Sequence, residues 1–367
     1  MERRKLLRHY GFAVGRFPSG PKNSITDVPG IKVGHSTIIE GTGRRRPGNG
    51  PVRTGVTAII PHDNVYMERL MSGAHILNGA GEVSGLIQIQ EWGLIETPIL
   101  LTNTLSVGRV SDSCVKWMSE KFPEMGDLYD VVIPVVGECD DSFLNDAVGR
   151  HIKEKHVFEA LNSASAAMVP EGSVGAGTGM VCCDFKGGIG SSSRVIKVDD
   201  KQFTIGILVN SNFGRIDDLR VLGVPVGRKL AASSFSALKK RSDNYGSIIT
   251  VLATDLPISR FQIIWLCKRA ALGIGRCGSF ASYTSGEIIV GCSTANRVLR
   301  EPKSGLQQFT YILDQFMDDA FEATIEATEE AIINSLINNH DMVGANENFV
   351  PAIPVDKLMS VMHAALG

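Results

Sequence analysis

A serine directly follows a glycine at the entrance to an apolar run, Gly246-Ser247-Ile248-Ile249-Thr250-Val251-Leu252-Ala253. If the Gly246–Ser247 bond is cut, Ser247 becomes an N-terminus that carries a hydroxyl nucleophile and an amine base on one residue. A serine hydroxyl alone is a weak nucleophile at neutral pH, whereas an α-amine titrating at about 7.7–8.0 can take its proton. The plainer alternative is a glycine turn that feeds a strand. Ser285-Gly286-Glu287 opens a second apolar run, Ile288-Ile289-Val290. Residues i and i+2 of a strand face the same side, so the Ser285 hydroxyl and the Glu287 carboxylate project together. Such a pair could orient an amine as the third group of a triad orients its base. A turn serine beside an edge carboxylate is the structural alternative.

A third run, Leu208-Val209-Asn210-Ser211-Asn212-Phe213-Gly214, ends in two asparagines before a glycine. An asparagine amide at a strand end is a suitable donor to a developing oxyanion, and Asn-x-Gly is equally a turn former. Glu138, Asp140 and Asp141 follow a strand-like run. They could hold a metal, but no histidine lies near them and the eight histidines show no metal-ligand spacing. Receiving a substrate ammonium is their other use. His35 follows a turn and reads as a structural histidine. The glycine run from Gly172 to Met180 lacks the G-x-G-x-x-G interval of a dinucleotide site. It reads as a place where backbone must approach backbone or substrate.

The elements that must position these residues are legible as apolar β-rich runs at 56–61, 85–90, 98–102, 131–136, 194–198, 203–209, 248–253 and 287–292. Helical patterns lie at 106–121, 142–153, 155–166, 259–272 and 308–338. The expected class is α/β, with two stacked mixed sheets under helical outer layers and an antiparallel stretch around 172–209. A polar connection at 239–245 precedes Ser247; it is either an exposed loop or the tail that self-cleavage would leave behind.

Composition narrows the function classes. Lys plus Arg is 37 against 39 for Asp plus Glu, so no nucleic-acid or anionic-membrane partner is implied, and the one basic cluster, Arg44 to Arg46, sits in a Gly/Pro-rich loop. The charged start is followed by Gly11, Arg16 and Pro18 rather than an apolar core, so no signal peptide is expected. No apolar run reaches the roughly 18 residues of a membrane span. Seven scattered cysteines with no C-x-x-C pair read as buried thiols in a reducing cytoplasm.

Together these segments resemble the DmpA/BapA family, the L-aminopeptidase/D-amidase/D-esterase enzymes and β-peptidyl aminopeptidases. The resemblance is carried in order by residues 23–35, 50–58, 101–108, 134–138, 172–180, 246–249 and 285–288. It implies an N-terminal-nucleophile-like hydrolase in a four-layer αββα sandwich, a single domain over 1–367 that cuts itself into a 1–246 α chain and a 247–367 β chain. By position, Ser247 is the implied nucleophile, Ser285 and Glu287 the pair orienting its amine, Asn212 the oxyanion donor and Glu138 the carboxylate reading the substrate's free amine. Relatives commonly carry an assisting tyrosine near Phe143; a phenylalanine there lines the substrate side without donating a proton. The implied substrates are small peptides, amides or esters, with no metal or cofactor, and the implied assembly is a homo-oligomer of αβ units. An ornithine-acetyltransferase-like acyl transferase and a catalytically idle protein of the same fold are the competing readings. Serine rather than threonine at 247 argues against the first, and the intact Ser247, Ser285 and Glu287 against the second.

Overall fold

The computed structural model describes residues 6–231 and 246–367. Its strands in chain order are β1 (Lys32–Glu40), β2 (Val52–Ile60), β3 (Glu68–Gly79), β4 (Val83–Ser84), β5 (Leu94–Ile95), β6 (Ile99–Thr102) and β7 (Val135–Glu138). They continue with β8 (Val181–Cys182), β9 (Phe185–Lys186), β10 (Gly188–Val198), β11 (Lys201–Asn212), β12 (Gly246–Thr254), β13 (Ser285–Leu299), β14 (Met342–Val343) and β15 (Phe349–Val350). The helices are α1 (Leu86–Trp92), α2 (Val107–Lys121), α3 (Glu154–Asn162), α4 (Val226–Ala231), α5 (Arg260–Arg276), α6 (Asp318–Ile337) and α7 (Val355–Leu366).

Strand alternation sorts the apolar side chains into three cores, and these define the layers. One five-stranded sheet runs β1-β2-β6-β7-β4 and one six-stranded sheet β10-β11-β12-β13-β3-β5. Between them pack Ile59, Leu101 and Val135 of the first sheet and Leu208, Ile249 and Val251 of the second. The opposite residues of the same strands, Ala58, Leu100 and Val136, meet Val110 and Met118 of α2 and Val157 of α3. On the far side Ile248, Leu252 and Ile289 meet Leu266 of α5 and Ala327 of α6. The architecture is therefore the four-layer αββα sandwich. Because β12 lies at its centre, all nine of its residues are buried, which is why it reads as an unbroken apolar run.

Local chemistry sets the boundaries. Ser259 caps α5 by accepting from Gln262 N–H at 3.3 Å while Gln262 Oε1 accepts from Ser259 N–H at 2.8 Å, a reciprocal capping box. In the glycine run, a Cβ on Gly177 would lie 2.4 Å from Ile189 N and one on Gly179 2.3 Å from Arg53 O. The run is a loop with a 3-10 turn at Gly175–Gly177, packed backbone against backbone as expected.

Four elements differ from the sequence reading. Residues 85–90, with the alternation Ile-Gln-Ile-Gln, form α1 rather than a strand, because Gly85 (φ 76°) and Gly93 (φ 68°) close both ends in the left-handed region. Residues 142–153 are turns instead of a helix: Asp140 accepts from Ser142 N–H at 2.9 Å, and Asp146 accepts from Gly48 N–H at 2.8 Å, side-chain bonds that compete with helix formation. The long helix begins at Asp318 rather than near 308, and its end at Ile337 agrees to one residue. The strand expected at 131–136 is β7, which starts at Val135. β1 and β3, which carry histidine, glycine and charged residues, have no apolar run to announce them.

Candidate active site

Ser247 is the second residue of β12, held between antiparallel β11 and parallel β13. Its register partners are Asn212 on one side and Gly286 on the other. By the two-residue period of a strand, Ser247 shares the inter-sheet face with Ile249 and Val251, and Asn212 shares it with Leu208. The register pairs Gly246 with Ser285 and Ile248 with Glu287, so the Ser285 and Glu287 side chains lie on the opposite, helix-covered face. A hydroxyl and the groups suited to hold its amine thus approach one residue from two faces of the same sheet. Gly246 is required by packing: a Cβ there would sit 2.8 Å from both Asn212 O and Phe213 Cα. The 239–245 connection lies outside the described residues.

Ser285 Oγ donates to Glu287 Oε1 at 2.6 Å, and a third group, Ser279 Oγ, donates to the same oxygen at 3.3 Å. Glu287 Oε2 is buried without a hydrogen-bond partner. Burial pushes the Glu287 carboxyl up to about 7, against the lowering effect of the two serines. An ammonium beside Oε2 would supply the missing partner.

Asn212 is fully buried and its amide orientation is set on both ends. Oδ1 accepts from Val181 N–H at 2.9 Å, and Nδ2 donates to Asp140 O at 3.0 Å. Val181 pairs in register with Lys186, a buried lysine whose Nζ donates to the carbonyls of Gly177, Met180 and Gly187 at 3.1, 2.9 and 2.7 Å. Burial pulls the Lys186 amine down to about 7.

Glu138 ends β7 and is 4% exposed. Oε1 accepts from Glu82 N–H at 2.9 Å and Oε2 from the Thr104 hydroxyl. Burial, opposed by these bonds, raises its carboxyl above the ordinary range. Gly81 joins it to the centre: a Cβ there would lie 3.1 Å from Glu138 Oε1 and 3.7 Å from the Cα of Gly286, the neighbour of Ser247. The other acids point elsewhere, Asp140 to Ser142 and Asp141 to Asn145 Nδ2 at 2.9 Å. Among the described residues no three His, Cys, Asp or Glu side chains converge as a metal set. Phe143 is half-buried against Leu144, Val181 and Met342, one contact removed from Asn212. His35 stands apart: Nδ1 bonds Thr57 Oγ1 at 2.9 Å beneath the glycine loop, and burial lowers its pKa to about 4.

The structure therefore brings Ser247, Asn212, Ser285, Glu287 and Glu138 around the ends of β11, β12, β13 and β7. Ser279, Thr104, Gly81 and Lys186 also pack or hydrogen-bond around these residues, and sequence reasoning missed them. Ser279 follows Gly278 at the end of a helical pattern, a signal for a turn but not for a carboxylate partner; a lone lysine in Phe185-Lys186-Gly187 carries no signal.

An αββα sandwich with a serine at the buried start of a central strand has the frame of the N-terminal-nucleophile-like hydrolases. Comparison with known proteins makes this specific. Residues 23–350 match the model of peptidase family S58. The β-peptidyl aminopeptidase BapA of Sphingosinicella xenopeptidilytica is 40% identical over 359 residues, covering 94% of this chain and 88% of that one. Among solved structures, the PH0078 protein of Pyrococcus horikoshii superposes with a TM-score of 0.93 at 44% identity, covering 98% of this chain and 99% of that chain. The L-aminopeptidase D-Ala-esterase/amidase of Ochrobactrum anthropi, a variant of the Ntn hydrolase fold, superposes with a TM-score of 0.89 at 36% identity and 98% of each chain. The chain belongs to peptidase family S58. It is a hydrolase of the aminopeptidase and amidase type.

Proposed function

We propose that this hydrolase matures by cutting its own Gly246–Ser247 bond and then uses Ser247 as an N-terminal nucleophile. The observation that carries this reading is the register of β12: Ser247 lies beside Asn212, while Gly246 lies beside Ser285 and near a carboxylate with one buried, unpartnered oxygen. In the precursor the Ser247 hydroxyl attacks the Gly246 carbonyl carbon, the acyl group shifts from nitrogen to oxygen, and water releases the 1–246 chain. The freed α-amine then faces Glu287 and Ser285. In turnover the Ser247 Oγ–H proton passes to this amine as Oγ attacks the substrate carbonyl, and the same amine later protonates the leaving group. Asn212 stabilises the oxyanion in both steps. These residues supply nucleophile, base and oxyanion donor, so the proposed reaction uses no metal or organic cofactor.

Glu138 is the proposed reader of the substrate's free ammonium, with Phe143 on the substrate side. Its closeness to Gly81 and Gly286 supports this assignment. The substrates are accordingly small peptides, amides or esters with an unblocked amine, released one N-terminal residue at a time. An ammonium–carboxylate hydrogen bond contributes about 1.5–3 kcal/mol, so acetylating the amine of an aminoacyl p-nitroanilide should lower kcat/KM at least about tenfold. Glu138→Gln should erase most of that discrimination, and activity should survive exhaustive chelation. Equal rates on blocked and unblocked substrates would remove Glu138 from this role.

The cytoplasm is the proposed compartment, supported by the burial of all seven cysteines; no helix among the described residues is long and apolar enough to cross a membrane. Assembly into a homo-oligomer of αβ units is proposed from exposed apolar side chains that line one groove with Glu82, namely Ile87, Trp92 and Ile133.

A further inference from the structure

The turn between α5 and β13 holds a hydroxyl that the sequence motifs leave unassigned. Ser279 Oγ accepts from Ala281 N–H at 3.1 Å. With one lone pair so engaged, its proton is directed at Glu287 Oε1, 3.3 Å away. The backbone on both sides is in uncommon conformations. Gly278 has φ 104°, and a Cβ there would lie 1.9 Å from Asp218 O; Ala281 has φ 51°, in the left-handed region that non-glycine residues enter at a cost. The turn is therefore held in place from outside, and Ser279 stands at a set distance from the carboxylate. Glu287 ends up asymmetric: Oε1 receives both Ser279 and Ser285, and Oε2 receives nothing.

We propose that Ser279 is a positioning residue of the reaction, which with Ser285 occupies Oε1 of Glu287 and so leaves Oε2 to receive the α-amine of Ser247. This rests on the reading of Ser247 as an N-terminal nucleophile. Both hydroxyls also favour the ionised carboxylate against the burial that raises it.

The surroundings of Glu287 leave this task to the serines. β12 offers Gly246 and Ile248, and β3 offers Asn78, whose amide is committed to the carbonyls of Ser282, Tyr283 and Ser285. Arg276, at the end of α5, pairs with Glu329 at 3.3 Å, and Arg215, across the cleft that Ser279 and Ser285 line, pairs with Asp218 at 2.9 Å. Among the described residues no charged side chain pairs with Glu287.

The test is the pH profile of kcat/KM on an aminoacyl p-nitroanilide for the wild type, Ser279→Ala, Ser279→Thr and Glu287→Gln, with Gly246–Ser247 cleavage scored on a denaturing gel for each preparation. Removing a donor to the anion raises the apparent pKa of the coupled carboxylate–amine pair. The acid limb of Ser279→Ala should therefore move to higher pH by about 0.5–1 unit, while Ser279→Thr keeps the wild-type limb. A processed Ser279→Ala enzyme whose activity falls equally at every pH, with the limb unmoved, overturns the assignment. If Ser279→Ala does not fold or mature, Ser279→Cys, a weaker donor, should show a smaller shift in the same direction, and an unmoved limb there overturns it equally. A Glu287→Gln enzyme that retains the wild-type limb would refute the amine-orienting reading itself, a result distinct from failure at Ser279.

Discussion

Ser247 presents its hydroxyl to the space between the sheets, while the groups suited to its amine lie on the helix side of the same strand. The proposed cleavage thus has a structural meaning beyond exposing an amine. It would remove Gly246 from beside Ser285, the position from which an amine can address Glu287. Asn212 belongs to the hydroxyl's face, and its orientation is set by Val181 N–H and Asp140 O. Loss of an oxyanion donor typically lowers kcat by about 10²–10³. Asn212→Ala should do so on an aminoacyl p-nitroanilide with KM changed much less, and should slow self-cleavage as well; near-normal kcat would take Asn212 out of the site. At this scale the sequence was informative wherever the functional pair is local. Ser285 and Glu287 are two residues apart on a strand, and their 2.6 Å hydrogen bond follows from that spacing. Ser279 and Lys186 were illegible because their partners are chosen by a turn and a loop whose shapes no short-range pattern encodes.

The same division holds for elements. β11, β12 and β13 are buried at their cores and announced themselves as apolar runs, so the strands that carry the site were legible. β3 was not, although it pairs with β13 along most of its length, because its glycines and charges obscure any period. The stretch read as a strand at 85–90 shows the opposite failure: period-two alternation occurred in a segment closed by glycines at both ends, where only Ile89 is buried. Long-range ion pairs were equally out of reach. Arg194 of β10 is buried against α6, with Nε 3.1 Å from Glu326 and Nη1 2.7 Å from Glu330. Arg8 and Asn23 join the network at 3.1 and 2.8 Å from Glu330. In the proposed two-chain form this network would tie the chains together. Replacing Arg194 by Met leaves buried carboxylates underpaired, so it should cost about 3–5 kcal/mol, read as a fall in thermal midpoint and as partial separation of the chains on native chromatography. An unchanged midpoint would show that the network does not hold them.

For the molecule as a whole, the order β10-β11-β12-β13-β3-β5 places β12 and β13 between strands from the other side of the proposed cleavage point. The 247–367 chain cannot leave without opening the six-stranded sheet on both flanks and unpacking α5 and α6 from the helix-side core. The proposed cut at 246 would therefore leave these strand pairings in place while freeing the α-amine of Ser247. The measurement that tests this account most directly is the intact mass and N-terminal sequence of the purified, active protein. Two associated chains, 1–246 and 247–367, should appear under denaturing conditions, the smaller beginning Ser-Ile-Ile-Thr, and Ser247→Ala should remain one inactive chain. A protein that hydrolyses amides while its Gly246–Ser247 bond is intact would contradict the account.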